Sequence, residues 1–461
     1  MAFNIFRKKN DDDAFPLPER MMTEKEELFC YSFDASSMQG EPSAIVKPVN
    51  TSEVAQVVAF ANRKLTPVVP RGAGTGMTGG AVPVKDAIIL SLDGMNSILD
   101  IDERNMVAVV EPGVINGHLQ ERLEEKGLFY PPDPASMNFC TLGGNIAENA
   151  GGPRAIKYGV TKDYVLGLEV VLPDGRVMMT GGKTYKNVVG YDLTRLIVGS
   201  EGTLCVVTKI FLKILPLPEE TITLLITYST LNDAAFSVSK ITSSGITPRV
   251  LEFMDKGSIQ AVESYGHYGL PQDAEAMLLI EVDGSLTAVS EDADKIASIC
   301  TSLNGRVSIA EDIYSRKRLW EARRAISPAL YRIRPNKINE DIVVPRGRIP
   351  EILQALRDIS ERYRVQIVNF GHAGDGNIHV NVMTDKNDFE EYGRAKGSVK
   401  DIFRETLRLE GSISGEHGVG LTKKQYVGME LSDTGIEIMK AVKKVFDPNG
   451  IMNPGKMFPA D

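Results

Sequence analysis

The sequence is short of features that mark several common protein classes. Its four cysteines (Cys30, Cys140, Cys205, Cys300) lie far apart with no CxxC pair, which excludes an iron–sulfur module held by this chain and points to a reducing compartment. No apolar run approaches the roughly 20 residues of a membrane-spanning helix. The start, Met1 to Lys9, lacks the order and apolar length of a secretion signal, so a cytoplasmic location is expected. A formal net charge of −9 leaves no positive excess for a general nucleic-acid binder. Tryptophan occurs once and histidine five times in 461 residues, a length that allows two or three domains with cores of their own.

What is abundant is glycine, 42 residues with many of them between positions 71 and 202. The apolar run Pro67-Val68-Val69 leads into Pro70-Arg71-Gly72-Ala73-Gly74-Thr75-Gly76-Met77-Thr78-Gly79-Gly80. A strand entering such a loop presents backbone N–H groups with few Cβ atoms in the way, a geometry that cradles phosphate. The spacing is neither the dinucleotide fingerprint nor a Walker A loop. Read alone, the loop is a phosphate cradle or a flexible turn. A second stretch runs from Tyr130-Pro131-Pro132-Asp133-Pro134-Ala135-Ser136 to Thr141–Gly152, with glycine pairs on either side of one short helical turn. A third is Ser200-Glu201-Gly202-Thr203-Leu204. Each alone fits a turn-rich β protein, but three in one domain favour a large cofactor bearing phosphate.

Periodicity predicts an extension over residues 1–25 and an α+β domain over 26–215. That domain includes a helix capped by Thr51 and a hairpin turning at Pro173-Asp174-Gly175. Residues 216–425 read as a second domain, an antiparallel sheet covered by helices on one face. Its strands are expected at 221–228, 250–254, 276–282, 341–344 and 365–369, with helices at 286–303 and 313–333. Residues 426–461 are expected to return to the first domain.

Three of the histidines occupy glycine-rich sequence late in the chain. The runs Val365–Phe370 and Ile378–Met383 flank Gly371-His372-Ala373-Gly374-Asp375-Gly376-Asn377, and Asp375-Gly376 is a two-residue hairpin signal. That turn would put His372 directly opposite His379, near enough to share a divalent metal, with Asn381 on the same face. Ser414-Gly415-Glu416-His417-Gly418 offers a carboxylate and an imidazole together. Each of these histidines read singly is more often a hydrogen-bonded structural residue than a catalytic one. Arg323 and Ser327 are four apart on a predicted helix and suit a carboxylate ligand, or else an exposed basic turn among Arg316, Lys317, Arg318 and Arg324.

Taken together, Pro70–Gly80, Pro131–Ser136, Thr141–Gly152, Gly199–Leu204 and Asn453-Pro454-Gly455-Lys456 resemble the flavoproteins of vanillyl-alcohol-oxidase type. The likeness is greatest to the branch of D-lactate dehydrogenases, the glycolate oxidase flavin subunit and D-2-hydroxyglutarate dehydrogenase, and it covers nearly the whole chain from about residue 40. The resemblance implies a two-part FAD-binding domain and a substrate (cap) domain. It implies FAD on Pro70, Arg71, Gly72, Ala73, Gly74, Thr75, Gly76, Met77 and Gly80. Pro132, Asp133, Ser136, Thr141, Gly143, Gly144, Ala147, Gly151, Tyr158, Glu201, Gly202, Val207 and Asn453 would complete the cofactor site. Relatives with covalent FAD carry a histidine in the first loop; Gly74-Thr75-Gly76-Met77 has none, so non-covalent FAD is expected.

By the same resemblance His372, His379 and Glu416 bind a divalent metal ion, with Zn, Mn or Fe as candidates, and His417 is the general base. The residue matching Arg323 binds the substrate carboxylate in relatives; Ser327, from its helix spacing, and Asn381, from its strand face, are expected to join it at the substrate. Relatives acting on dicarboxylic acids add a lysine near the following strand; Lys337 is close, but its spacing to Asp341–Pro345 differs, which tilts the reading to a short monocarboxylic acid. The expected activity is oxidation of a small D-2-hydroxy acid, D-lactate before glycolate, to the 2-keto acid. Electrons would leave to a protein acceptor, an electron-transferring flavoprotein or an iron–sulfur subunit. The alternatives are a non-redox FAD enzyme of the ether-lipid synthase type and a catalytically silent flavin subunit.

Overall fold

The computed structural model describes residues 14–459. Residues 1–13 of the expected extension lie outside that range. The remainder of the extension is built into the fold: Phe15 and Leu17 are buried, and the Phe15 ring meets Phe60 edge-on at 5.2 Å between centroids. Met21–Met22 pairs antiparallel with Ala44–Val46. The apolar residues Phe15, Leu17 and Met21 supply the reason, since each finds a place on the same core.

The chain divides into two compact units. One holds the chain up to Gly151, then Val160–Leu217, then the chain from Glu416; the other holds Gly152–Gly159 and Pro218–Gly415. The return therefore begins at Glu416, ahead of the expected 426, and residues 152–159 belong with the second unit.

In the first unit a four-stranded sheet carries Ala44–Val46, Ile88–Ser91 and Val68–Arg71 as parallel neighbours. The Thr51–Lys64 helix buries Val54, Val57, Val58, Phe60 and Ala61 in the same core. Its cap is Asn50, not Thr51: the Asn50 Oδ1 accepts from the Glu53 N–H at 2.9 Å. The adjoining residue carries the cap because Asn50 has the extended backbone that an N-cap needs. A five-stranded antiparallel sheet follows, in the order Ile98–Asp102, Val107–Val110, Val206–Lys213, Val165–Val171, Val177–Gly181, and its last pair is the expected hairpin. The C-terminal segment closes this unit: the Val68 N–H donates to Ile451 O, and the Asn453 N–H to Val68 O, both at 2.8 Å.

The second unit is built on one seven-stranded sheet with every pair antiparallel. Its order is Arg306–Ile309, Glu220–Tyr228, Ala276–Gly284, Val250–Asp255, Gln366–Gly371, Asn377–Thr384, Asn336–Val343. The sheet is buried on both faces rather than one. Met254, Met277, Val368, Phe370 and Met383 pack under the Lys256–Gly266 and Ile313–Ala329 helices. Phe253, Leu278, Ile280, Val380 and Val382, which alternate with them, are buried too.

The hairpin register differs from the expected one. Phe370, not His372, stands opposite His379, because residues 372–376 form a wider loop in which the His372 carbonyl accepts from the N–H groups of Asp375 and Asn377. The slip is two residues. A shift of two keeps every side chain on its face, whereas a shift of one would reverse it.

Candidate functional site

The glycine stretches of the first unit meet around one open cavity of about 1420 Å³, solvent-accessible space included. Pro70, Arg71, Gly72, Ala73, Gly74, Thr75, Gly76, Met77 and Gly80 line it, as do Ser136, Thr141, Gly143, Gly144, Ala147, Gly151, Glu201, Gly202 and Val207. Gly72 is required by close approach, since a Cβ there would run into Thr141 Oγ1. That oxygen accepts from the Gly144 N–H at 3.2 Å and starts the Leu142–Glu148 helix, whose first N–H groups lie at the cavity wall. Asn453 acts one step back: its Nδ2 donates to Gly80 O at 2.9 Å and Glu201 O at 2.7 Å, tying two of the loops together. Pro132 holds its place through its carbonyl, which accepts from Asn116 at 3.2 Å and Gln120 at 3.0 Å, and Asp133 beside it is buried. Tyr158, also in the expected cofactor set, falls in the second unit and donates its hydroxyl to Asp283 at 2.8 Å.

Glu416 and His417 also line this cavity. The His417 carbonyl accepts from Thr78 Oγ1 at 3.2 Å, and its Nε2 lies 4.0 Å from Glu416 Oε1. Two further carboxyls stand at the cavity, Glu201 of the expected cofactor set and Glu148, which the sequence reading did not single out. Glu201 accepts from the N–H groups of Val419 and Gly420 at 2.8 Å each. Glu148, also on the cavity, keeps Oε2 buried without a hydrogen-bond partner. Burial, then the charges of Glu201 and Asp34, push the Glu148 carboxyl well above its ordinary range.

The second unit gathers its polar residues on one sheet face. Strand alternation and register put Glu252, His379, Asn381, Asp341, Asn339 and Lys337 together, with His372 on the adjoining loop. The rings of His372 and His379 stand edge-on with centroids 5.2 Å apart. His379 Nδ1 is 3.5 Å from Asp341 Oδ1, and Asp341 in turn accepts from Asn377 Nδ2 at 2.7 Å. The Ile313–Ala329 helix lowers Arg323 onto this face, its guanidinium 4.8 Å from the Phe370 ring centroid.

Arg323 already has a partner that the sequence reading missed. Its Nε and Nη2 both meet Glu252 Oε2, at 2.6 and 2.5 Å, and Glu252 Oε1 meets His372 Nδ1 at 2.6 Å. Burial alone would raise the Glu252 carboxyl, but the Arg323 charge, followed by His372, holds it below its ordinary value. A signal existed in Val250-Leu251-Glu252-Phe253-Met254: an acid inside an apolar strand must find a partner.

Ser327 is held by Lys337, whose Nζ donates to Ser327 Oγ at 2.8 Å and to its carbonyl at 3.1 Å. The strand there begins at Asn336, not near Asp341, so Lys337 belongs to the same face as the site residues and the spacing argument against it does not hold. Asn381 makes its hydrogen bonds inside the sheet, donating to the Val368 and His379 carbonyls at 3.3 and 3.2 Å and accepting from Asn339 at 2.9 Å.

Comparison with known proteins adds the following. The model of the "FAD binding domain" matches residues 42–181, and that of "FAD linked oxidases, C-terminal domain" matches residues 217–457. The chain is 46% identical over 433 residues to the glycolate oxidase subunit GlcD of Bacillus subtilis, covering 94% of this chain and 92% of that protein. It is 37% identical over 454 residues to a D-lactate dehydrogenase of Anaerostipes hadrus, covering 95% of each. A solved structure of p-cresol methylhydroxylase with substrate bound has the same fold at a TM-score of 0.81 and 19% identity, covering 95% of this chain and 94% of that one.

Proposed function

The chain belongs to the FAD-linked oxidases, and from that premise we propose that it oxidises a small 2-hydroxy acid, D-lactate or glycolate, to the 2-keto acid. The observation that carries this reading is the buried Arg323–Glu252–His372 set beside His379, a cationic carboxylate anchor next to two imidazoles on one sheet face.

In this reading Arg323 binds the substrate carboxylate through the guanidinium edge that Glu252 leaves over. His417 takes the hydroxyl proton at an imidazole nitrogen. FAD, when bound along the glycine-lined cavity of the first unit, supplies the two-electron chemistry. The donor set fits a divalent cation as well, since two imidazoles at this ring separation with a carboxylate are ordinary ligands. His372, His379 and, from the resemblance, Glu416 would hold that cation, which when bound lowers the pKa of a coordinated hydroxyl as a Lewis acid.

A protein electron acceptor, an electron-transferring flavoprotein or an iron–sulfur subunit, is part of the proposal. Its support is that no pair of cysteines in the sequence is spaced to hold a redox centre. Among the described residues no helix is long and apolar enough to cross a membrane.

The test is anaerobic flavin bleaching with glycolate, D-lactate, L-lactate and D-2-hydroxyglutarate, with and without chelator, on the wild type and His417→Ala. The expected result is bleaching by a short hydroxy acid that chelator and the substitution both suppress by at least about 100-fold, on the scale of a lost general base. Bound FAD that no hydroxy acid bleaches overturns the reading. D-2-hydroxyglutarate is in the panel because Lys337 lies close enough to Arg323's helix to serve a second carboxylate.

A further inference from the structure

We propose that Glu252 is the positioning residue of this site: pinned by Arg323, it holds His372 as the Nδ1–H tautomer and leaves His372 Nε2 as the donor for a divalent cation. The inference deepens the reading above and rests on it for the cation.

The argument is one of counting donors and acceptors. The Glu252 side chain is fully buried on the Val250–Asp255 strand, where an ionised carboxylate offers only acceptors. Both Arg323 nitrogens are directed at Oε2, so Oε1 is the oxygen left for His372. At 2.6 Å from that oxygen, His372 Nδ1 must carry the proton, because neither partner could otherwise donate. A neutral imidazole protonated at Nδ1 has its lone pair at Nε2.

The main chain of His372 is held separately, through its carbonyl and the N–H groups of Asp375 and Asn377 at 3.2 and 3.1 Å. The loop therefore sets where the residue sits, and Glu252 sets which way the ring is charged with its proton. Arg323 pins Glu252 through two nitrogens, so the anion anchor and the imidazole donor are prepared by one carboxylate.

The test uses the FAD-loaded protein, stripped of metal with a chelator and labelled with 15N-histidine. With five histidines in the chain, His372 is assigned by the signal lost in His372→Asn. Protonation at Nδ1 in the wild type is the expected result; protonation at Nε2 overturns the proposal. This measurement needs no change at Glu252, so a substitution that fails to fold does not remove it.

The second arm titrates Zn2+ against a chromophoric chelator. Glu252→Gln can turn its amide N–H toward His372 and release the opposite tautomer, so Zn2+ affinity is expected to fall about 10- to 100-fold with FAD content retained. Equal affinities for wild type and Glu252→Gln overturn the proposal. A wild type that binds no Zn2+ overturns the cation reading it rests on, an outcome distinct from a wild type that binds and a substitution without effect.

Discussion

At the scale of single residues, Arg323 shows why charge alone does not describe a site. Its guanidinium grips Glu252 through two nitrogens and lies over Phe370, and in the function proposed above its remaining edge takes the incoming carboxylate. A lysine keeps the charge and loses both the fork and the stacking. Arg323→Lys is accordingly expected to lower kcat/KM for the hydroxy acid by on the order of 100-fold, roughly 3 kcal/mol in the transition state, with FAD content unchanged. Steady-state kinetics beside the flavin-to-protein absorbance ratio checks it. Lys337 and Lys456 make a prediction of another kind, because burial lowers each from the usual lysine value to about 8. Over the window from about 8 to the ordinary 10.5 the unfolded chain binds more protons than the folded one at these two sites. Their contribution to stability therefore rises with pH across that window, and their burial penalty is fully present below it. The slope of urea-unfolding free energy against pH is expected to be reduced in Lys337→Met and in Lys456→Met relative to wild type; an unchanged slope contradicts the assignment.

At the scale of elements, the glycine loops differ in what each glycine is for. A Cβ on Gly76 meets nothing within 4 Å, so the fold has no use for its bareness, yet Gly76 lines the cavity. Gly76→Ala is expected to leave the melting temperature within about the range of a neutral surface change and to reduce FAD occupancy. Gly418 is different: its φ is +79°, and an added Cβ would collide with Glu148 Oε2. Gly418→Ala is expected to lower the melting temperature and FAD occupancy together, the backbone conformation alone costing about 1–2 kcal/mol. Thermal melts paired with flavin absorbance separate the two outcomes. Elements of this kind were legible in the sequence because turn chemistry and period are local. The hairpin register was not, since a two-residue turn and a five-residue loop both accommodate Gly374-Asp375-Gly376 and only the strand pairing chooses between them.

For the whole molecule, the two units use the chain differently. The second takes nearly all of its residues from one continuous run, 218–415, and all seven strands of its sheet lie within it. The first depends on residues beyond Glu416, which bring the backbone bonds of Ile451 and Asn453 to Val68 and the Lys456 bond to Val82 O at 2.5 Å. A fragment of residues 218–415 is therefore expected to fold alone, with a cooperative urea transition by far-UV circular dichroism. It should be less stable than in the full chain, because Asp283 loses Lys157 and Tyr158. A fragment ending at Gly415 is expected to retain no FAD. A non-cooperative transition of 218–415 would contradict the division.

Sequence alone determined the class of fold and the glycine-rich stretches that come to line one cavity, because periodicity, turn chemistry and motif spacing act over a few residues. It did not reach the partners of the site's side chains. Glu252 is 71 residues from Arg323 and 120 from His372, and only pairing of the Val250–Asp255 strand with Gln366–Gly371 under the Ile313–Ala329 helix joins them. Likewise, Lys337 reads as an isolated lysine until strand register turns it toward Ser327. A side chain's chemical type is written at its own position, but its proton, charge and orientation depend on neighbours distant in sequence. Tertiary structure decided those.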